Sequence, residues 1–455
     1  MSSESDDHAG GARARQLLQI PAMWLVPMVL TTVFIALISV IYIGSVVNPS
    51  GHLHGLPVMI VDADQGATVH AKRIDIGASV TNALKGTSAV SDRLKLETVT
   101  QAQANATMDR GGAYATLVLP ATLTRSALQI AGVSTPGSAP PAEATVTVEQ
   151  NLRLGSLGVS LATGVLTPAL ERISPKVGSQ LTSLASPESK HNPVLAHQLS
   201  DPLTLATASY RPLPNHTALG LSAFYIALLT IMAGFLGGTL INTSVDSALG
   251  YATSEIGARW TQRRPVAIDR RQTFFTKWAI AAVAAPVLTG VLLVIAVGLL
   301  GMQAPSVILL WALLALTSLM VATGTLALFA AFGAIGQMLA IILLVYLSLA
   351  SSGGTVPIQA LPGIFGVVAH VEPLRQALLG TRAILYFDAR GDAGLTHSLV
   401  VIALELLFWA IVAVAATSWY DHRKLDRISP ELLSFIERAA DERAQERTRT
   451  AGDES

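Results

Sequence analysis

Long apolar runs alternate with polar stretches along the chain. A helix of about 20 apolar residues crosses a hydrocarbon core roughly 30 Å thick, and six runs approach or exceed that length. The predicted spans are residues 21–47, 217–241, 278–302, 306–332, 335–350 and 397–420. The first run is longer than the apolar core of a cleaved signal peptide and lacks an Ala-x-Ala-like exit, so we expect an uncleaved signal anchor. The pattern predicts a polytopic α-helical membrane protein with six transmembrane helices.

Residues 48–216, between spans one and two, contain charges of both signs together with Pro, Gly and Ser. Apolar or alternating segments predict strands in residues 56–67, 113–120 and 144–150. Helices are expected at residues 68–86, 101–109 and 121–131, and less clearly at 151–173, where Gly and Pro interrupt the helical period. The region is long enough for one folded domain. The pattern therefore predicts an α/β domain.

The segment 351–396, before span six, is too charged to span a membrane and too apolar for an ordinary loop. Its first part, 357–370, is apolar but broken by Pro and Gly. A helix of roughly 14 residues is expected to follow, with Pro373 in its first turn. Two short helices that enter and leave on the same side predict a re-entrant hairpin. A flat interfacial hairpin without a transport role is the alternative.

Charged residues accompany this second helix. Its apolar face comprises Leu374, Ala377, Leu378, Thr381 and Leu385, at the helical period. Arg375 and Arg382 are two turns apart and share another face, and Glu372 is three residues before Arg375, a spacing that allows an ion pair. Glu372, Arg375 and Arg382 either hold the hairpin together or meet a substrate, and we favour the first role.

Two features lie inside the predicted spans. Glu405 is the only ionisable residue well inside one of them. A carboxylate in hydrocarbon is costly, so Glu405 either faces the bundle interior or a wet cavity, or snorkels or stays protonated. Gly234 and Gly238 form a Gly-x-x-x-Gly pattern in span two, which lets another helix approach closely. Helix packing is the expected role of these glycines.

Basic residues set the predicted orientation, because they accumulate in cytoplasmic loops. The loop 242–277 holds the basic residues Arg259, Arg263, Arg264, Arg270, Arg271 and Lys277 and the acidic residues Asp246, Glu255 and Asp269. We expect the N-terminal segment 1–20, this loop and the charged tail 421–455 in the cytoplasm. The α/β domain and the segment 351–396 are then extracytoplasmic, and the protein is a multi-pass protein of the plasma (inner) membrane.

Composition narrows the classes of function. The chain of 455 residues is 51% hydrophobic and 13% charged, against about 25% charged in soluble domains. Its formal net charge is zero, so no nucleic-acid partner is expected. The sequence has no Walker A, HExxH, GxSxG or EF-hand motif and no Cys. We therefore expect no enzymatic activity, no cofactor and no metal site in this chain.

Four segments carry a resemblance to a known family. They are LPVMIVDADQGATV (56–69), GGAYATLVLPATLT (111–124), VTVEQN (146–151) and EPLRQALLGTRAILYF (372–387). With the order of the spans, they resemble the permease subunits of type-2 ABC exporters, and most closely the phage-infection-protein-like and nitrosoguanidine-resistance-type membrane proteins. The resemblance covers about residues 15–425.

The resemblance implies a role and partners. The loop after span two would carry a coupling helix that rests on a separate ABC ATPase, here in residues 247–265. The residues placed there for docking are Glu255, Arg259, Trp260, Arg263 and Arg264. The chain would be an exporter permease in a homodimer, contacting membrane lipids and moving a lipid, drug, glycan or peptide out of the cytoplasm or inner leaflet.

Two alternatives stay open at this point. One is a non-catalytic envelope scaffold or receptor whose external domain binds a partner. The other is a secondary transporter that uses Glu405 as its proton carrier.

Overall fold

The computed structural model of the protein describes residues 21–69, 71–133, 143–185, 193–256, 259–261, 263–425, 427 and 434. The side chains of residues 22–24, 193–195, 255, 256, 259 and 260 are outside this description. The predicted N-terminal segment 1–20 and nearly all of the charged tail after residue 427 also lie outside the described residues.

The first apolar run forms the long helix α1 (Pro21–Val46), and a one-turn helix α2 (Pro49–His52) follows it. With 26 residues, α1 is about 39 Å long at 1.5 Å per residue. Its apolar residues lie on all sides, and its most apolar window is not buried in the protein at all. One contact that it makes is between the rings of Phe34 and Tyr346, 6.4 Å apart and edge to face. Such a helix suits a lipid environment.

The region after α2 is the predicted α/β domain. Its elements are β1 (Leu56–Asp62), β2 (Ala67–Val69), β3 (Lys72–Ile74), α3 (Ile76–Gly86), α4 (Ser88–Ser91), β4 (Leu94–Thr98), α5 (Gln101–Asp109), β5 (Ala115–Leu119), α6 (Leu123–Ile130), β6 (Ala144–Gln150), α7 (Ser156–Leu184), α8 (Pro193–Ser200) and β7 (Leu203–Ser209). Five strands form one sheet in the order β4-β1-β5-β6-β7. Neighbouring strands are parallel except β5 and β6.

The burial of each strand explains how well the sequence predicted it. Strand β6 alternates buried and half-buried residues, and its bounds agree with the prediction, as do those of α5. Strands β4 and β7 were not predicted, because they are edge strands whose residues are mostly half-buried or exposed. The helix predicted at 68–86 is wrong in its first part, where β2 and β3 form a short antiparallel hairpin.

The remaining chain forms a helix bundle with one short hairpin. Its elements are α9 (Ser222–Ala248), β8 (Ser254–Ile256), β9 (Arg259–Thr261), α10 (Arg270–Leu293), α11 (Val307–Phe332), α12 (Ala334–Ala340), α13 (Leu347–Ser351), α14 (Gly363–Val368), α15 (Pro373–Tyr386) and α16 (Leu395–His422). A π-helical segment, Val294–Leu299, extends α10, and another, Ile341–Tyr346, joins α12 to α13.

Among the described residues, six helices are long and apolar enough to cross a membrane, in agreement with the prediction. They are Leu25–Val46, Ser222–Ala248, Arg270–Leu299, Val307–Phe332, Ala334–Ser351 and Leu395–His422. Two of them begin five or more residues from the predicted position. Helix α9 begins at Ser222 rather than at residue 217, because Ala218 and Leu219 have φ of 48° and 55°, which an α-helix does not accommodate. Helix α10 begins at Arg270 rather than at residue 278, so the loop between these helices is shorter than expected.

Helix α11 is the most buried of these six helices and packs against α9, α10 and α16. The glycines of the Gly-x-x-x-Gly pattern make the contact with α9 possible. A Cβ atom at Gly234 would lie 2.6 Å from the Ser318 carbonyl oxygen, and one at Gly238 would lie 3.1 Å from the Thr325 Cβ. These glycines therefore serve helix packing within one chain, as predicted.

Candidate functional site

Two clusters of charged side chains lie at opposite ends of the bundle. Helix α9 has 27 residues and is therefore about 40 Å long. At its first residue, the Ser222 hydroxyl is 2.7 Å from the Tyr386 hydroxyl, close to the α/β domain. Near its last turn, Asp246 bonds basic residues beside the β8–β9 hairpin. We refer to these as the domain end and the loop end of the bundle.

Helix α15 lies at the domain end and contacts α9, α11 and α16. It begins at Pro373 and has 14 residues, which agrees with the predicted start and length. The face expected to carry the charges, however, is not exposed, because Arg382 is only 6% exposed and Arg375 is half-buried. The sequence pattern suggested an amphipathic helix, since it could not reveal that the α/β domain packs beside this face.

Glu372 caps the first turn of α15. Its Oε1 accepts the Arg375 backbone N–H at 2.7 Å, and its Oε2 accepts the Leu374 backbone N–H at 2.9 Å. The residue is 3% exposed, so these two N–H groups have little access to water. The carboxylate serves as a helix cap, whereas the sequence spacing had suggested an ion pair with the Arg375 side chain.

Arg382 and Arg375 point towards the turn after α13. The Arg382 Nη2 donates to the Gly354 carbonyl oxygen at 3.3 Å, and its Nε finds no hydrogen-bond partner among the described residues. Glycine is needed at two neighbouring positions. A Cβ at Gly155 would lie 3.3 Å from the Arg382 Nη2, and one at Gly353 would lie 3.2 Å from the Arg375 Nη1. The arginines thus fill the space between the bundle and the domain.

Arg153, which the sequence did not single out, joins the α/β domain to α15. Its Nη1 donates to the Tyr386 carbonyl oxygen at 2.9 Å, and its guanidinium lies 5.3 Å from the centre of the Phe387 ring. The residue is 5% exposed, and burial lowers the pKa of its guanidinium from the ordinary value. The one available signal was a single Arg among the apolar residues between β6 and α7.

The loop end contains a cavity of about 780 Å³. It lies between α9, α10, α11, α12 and α16, and residues from each of these helices line it. The charged residues at its wall are Asp246, Arg270, Lys277 and Arg427. Its size is within the range of small-molecule sites, roughly 300–1,000 Å³.

Asp246 is the centre of the charged cluster. Its Oδ2 is 2.8 Å from the Lys277 Nζ, and its Oδ1 is 2.7 Å from the Arg427 Nη2. Lys277 also donates to the Asn242 Oδ1 at 2.7 Å and is 6% exposed. The Arg427 guanidinium lies 4.0 Å from the centre of the Tyr251 ring. Residues distant in sequence are therefore held together at one wall of the cavity.

Glu405 was predicted to be the only ionisable residue well inside a span. Lys277 and Asp246 also belong to helices of the spanning set, near the loop-end termini of α10 and α9. Glu405 does not line the cavity and lies on α16, with both carboxylate oxygens buried and without a hydrogen-bond partner among the described residues. Lys277 was taken for a loop residue because helix α10 begins earlier than its apolar run.

The predicted coupling loop is a hairpin in its described part. The backbones of Ser254–Ile256 and Arg259–Thr261 pair as antiparallel strands, where the resemblance implied a helix. The side chains of Glu255, Arg259 and Trp260 lie outside the described residues, and Arg263 and Arg264 are exposed. The two arms of the loop are joined beyond the hairpin, since the Tyr251 hydroxyl donates to the Val266 carbonyl oxygen at 2.6 Å.

The helices, the α/β domain and the two charged clusters define the class of this protein. It is a mostly helical protein whose described part has six apolar helices that could cross a membrane, with an α/β domain between the first and second of them. The chain belongs to the family described as "Protein of unknown function (DUF3533)", which matches residues 27–410. None of the curated proteins matches the chain.

Proposed function

We propose that the chain is the permease subunit of an ABC-type exporter that works with a separate ATPase. The observation that carries this proposal is the cavity of about 780 Å³ among the helices at the loop end. A transporter requires a ligand-sized cavity that is lined by several helices of its bundle, whereas a scaffold does not. The cargo classes considered are a lipid, a drug, a glycan or a peptide.

The proposed orientation places the loop end in the cytoplasm and the α/β domain outside. The excess of basic residues around the loop supports it, since such residues accumulate on the cytoplasmic side. Helices α14 and α15 form the re-entrant hairpin in this proposal. The exposed apolar side chains of Ile364, Val367 and Val371 support a position in contact with lipid.

The ATPase would dock at the loop between α9 and α10. The β8–β9 hairpin is the protruding element of this loop, and the exposed Arg263 and Arg264 follow it. Movement of the loop would reach the cavity directly, because Tyr251 in the loop also lines the cavity wall. Six spans are half of the usual twelve of such exporters, so we propose a homodimer.

The test is ATP-driven transport in proteoliposomes. The full chain is reconstituted with the ABC ATPase encoded beside its gene, and ATP-dependent movement of a fluorescent lipid or drug is measured. A variant in which residues 254–261 are replaced by a Gly-Ser linker should abolish transport while folding normally. The matched control replaces the β2–β3 hairpin, residues 67–74, by the same linker and should retain transport.

The alternative, an envelope scaffold or receptor, gives the opposite result. The linker at 254–261 would then have no effect on function, and the intact protein would neither form a complex with the ATPase nor transport any probe. That outcome would overturn the exporter proposal.

A further inference from the structure

The wall of the loop-end cavity carries more positive than negative charge. Its charged residues are three cations, Arg270, Lys277 and Arg427, and one carboxylate, Asp246. The nearby Asp421 does not line the cavity. Its carboxylate oxygens accept the backbone N–H groups of Arg270 and Arg271 in the first turn of α10, each at 3.4 Å. The cavity wall thus has an excess of positive charge.

Donors of the cluster remain available to a ligand. The Arg427 Nη1 is buried and has no hydrogen-bond partner among the described residues. Lys277 has three N–H bonds, and the two acceptors described for them are Asn242 and Asp246. A buried donor without a partner is costly. An anion that reaches the free Arg427 Nη1 and the third N–H of Lys277, beside Asp246, would gain charge-assisted hydrogen bonds.

Part of the cavity lining is apolar. It includes Phe274, which is 3% exposed, together with Leu326 and Phe329. Phe332 also lines the cavity but is 55% exposed at the end of α11, so it lies at an opening towards the surroundings of the bundle. One cavity therefore combines a cationic wall with an apolar wall that opens outwards.

We propose that this cavity binds an amphiphile with a phosphate headgroup, held by Lys277 and Arg427, with its apolar body against Phe274 and Phe332. In naming the class of substrate, this inference rests on the proposed exporter function, but binding is measured without transport. Asp246 pairs with both cations and thereby reduces the positive charge that the phosphate meets.

The test is equilibrium binding to the purified full chain in dodecyl maltoside micelles, which contain no phosphate group. The probe is dioctanoyl phosphatidic acid, and dioctanoyl glycerol and inorganic phosphate are measured alongside it. We expect Lys277→Gln and Arg427→Gln each to weaken binding of the phosphatidic acid by about tenfold or more. Arg271→Gln removes the same charge from an exposed position outside the cavity wall and should leave binding unchanged.

Asp246→Asn separates ligand binding from a purely structural role. Loss of the carboxylate raises the positive charge of the wall, so the phosphatidic acid should bind more tightly even though the fold is less stable. A monodisperse Asp246→Asn protein that binds more weakly overturns the proposal. The proposal is also overturned if Arg271→Gln weakens binding of the phosphatidic acid as much as Lys277→Gln and Arg427→Gln do.

The remaining arms identify the source of the phosphate. Weak competition by inorganic phosphate and no binding of dioctanoyl glycerol support the amphiphile. Inorganic phosphate that binds as tightly as the phosphatidic acid overturns it, and the site then takes a free anion. Charge-dependent binding in the absence of ATP-driven transport would support the binding site and reject the exporter.

Discussion

The two ends of the helix bundle both bury charged side chains, but their partners differ. At the domain end, Arg153, Arg382 and Glu372 bond mainly to backbone groups of α15 and of the turn at Gly354. At the loop end, Asp246 bonds the side chains of Lys277 and Arg427 beside a cavity. Backbone partners are fixed by the helix that contains them, whereas side-chain partners can be exchanged for a ligand. We therefore interpret the domain end as a rigid joint and the loop end as the site that changes.

The largest effect is expected at the loop end. Asp246→Asn leaves Lys277 and Arg427 without their common carboxylate, and breaking a buried pair in this way costs about 3 kcal/mol of stability. The free energy of unfolding, measured by SDS titration with tryptophan fluorescence, gives the cost. If the site binds an anion, dioctanoyl phosphatidic acid should restore part of this stability. If Asp246→Asn lowers the free energy of unfolding by less than the domain-end variants do, the expected order of the two ends is wrong.

A smaller loss is expected when the domain is disconnected from α15. Arg153→Ala removes the buried hydrogen bond to the Tyr386 carbonyl and the contact with Phe387, and should cost about 2 kcal/mol. Arg211→Ala is the control, because its pair with Asp109 is at the surface, with a side chain 53% exposed, and should cost less than about 1 kcal/mol. The same unfolding titration measures both. If both variants lose the same free energy of unfolding, Arg153 does not hold the α/β domain against α15.

Removal of the helix cap should have a more modest effect. Glu372→Ala leaves the buried N–H groups of Leu374 and Arg375 without acceptors, at a cost of about 1–2 kcal/mol. Thr100→Ala removes a cap at the exposed start of α5, where water can replace the lost acceptor, so its effect should be smaller. Proteolysis of the folded protein near α15, followed over time, would report the local loosening. A larger effect of Thr100→Ala would contradict the role of Glu372.

The smallest effect on stability is expected for Arg382→Met. Replacement of a buried charge by an apolar side chain of similar length is often neutral or stabilising, and the guanidinium makes one hydrogen bond of 3.3 Å. The unfolding free energy should change by less than about 1 kcal/mol. A stable Arg382→Met protein that loses transport would assign Arg382 to the substrate rather than to the joint.

The elements that sequence predicted well are those with strong local patterns. Strand β6 alternates over its whole length, α5 begins with a Thr100–Gln103 capping box, and α15 begins with Glu372 and Pro373. Each of these signals is contained within a few residues. The bounds of α9 and α10 were less accurate, because a helix continues past the end of its apolar run when its polar residues find partners.

The candidate site was harder to predict than the fold. Asp246, Lys277 and Arg427 are far apart along the chain, and each alone looks like an ordinary charged residue near a loop. The role of Arg153 was also difficult to predict, because its partner is the backbone of Tyr386, more than 200 residues away. A single sequence contains no signal for such distant pairings.

The amino-acid sequence by itself determined the six spanning helices, the α/β domain between the first two and the start of α15. Hydrophobic length and periodicity are sufficient for these features, since they depend on nearest neighbours along the chain. Only the tertiary structure decided that α15 is buried on its polar face and that Asp246 joins two cations beside a cavity. The physical reason is that burial and ion pairing depend on which distant segments meet, and packing alone brings these segments together.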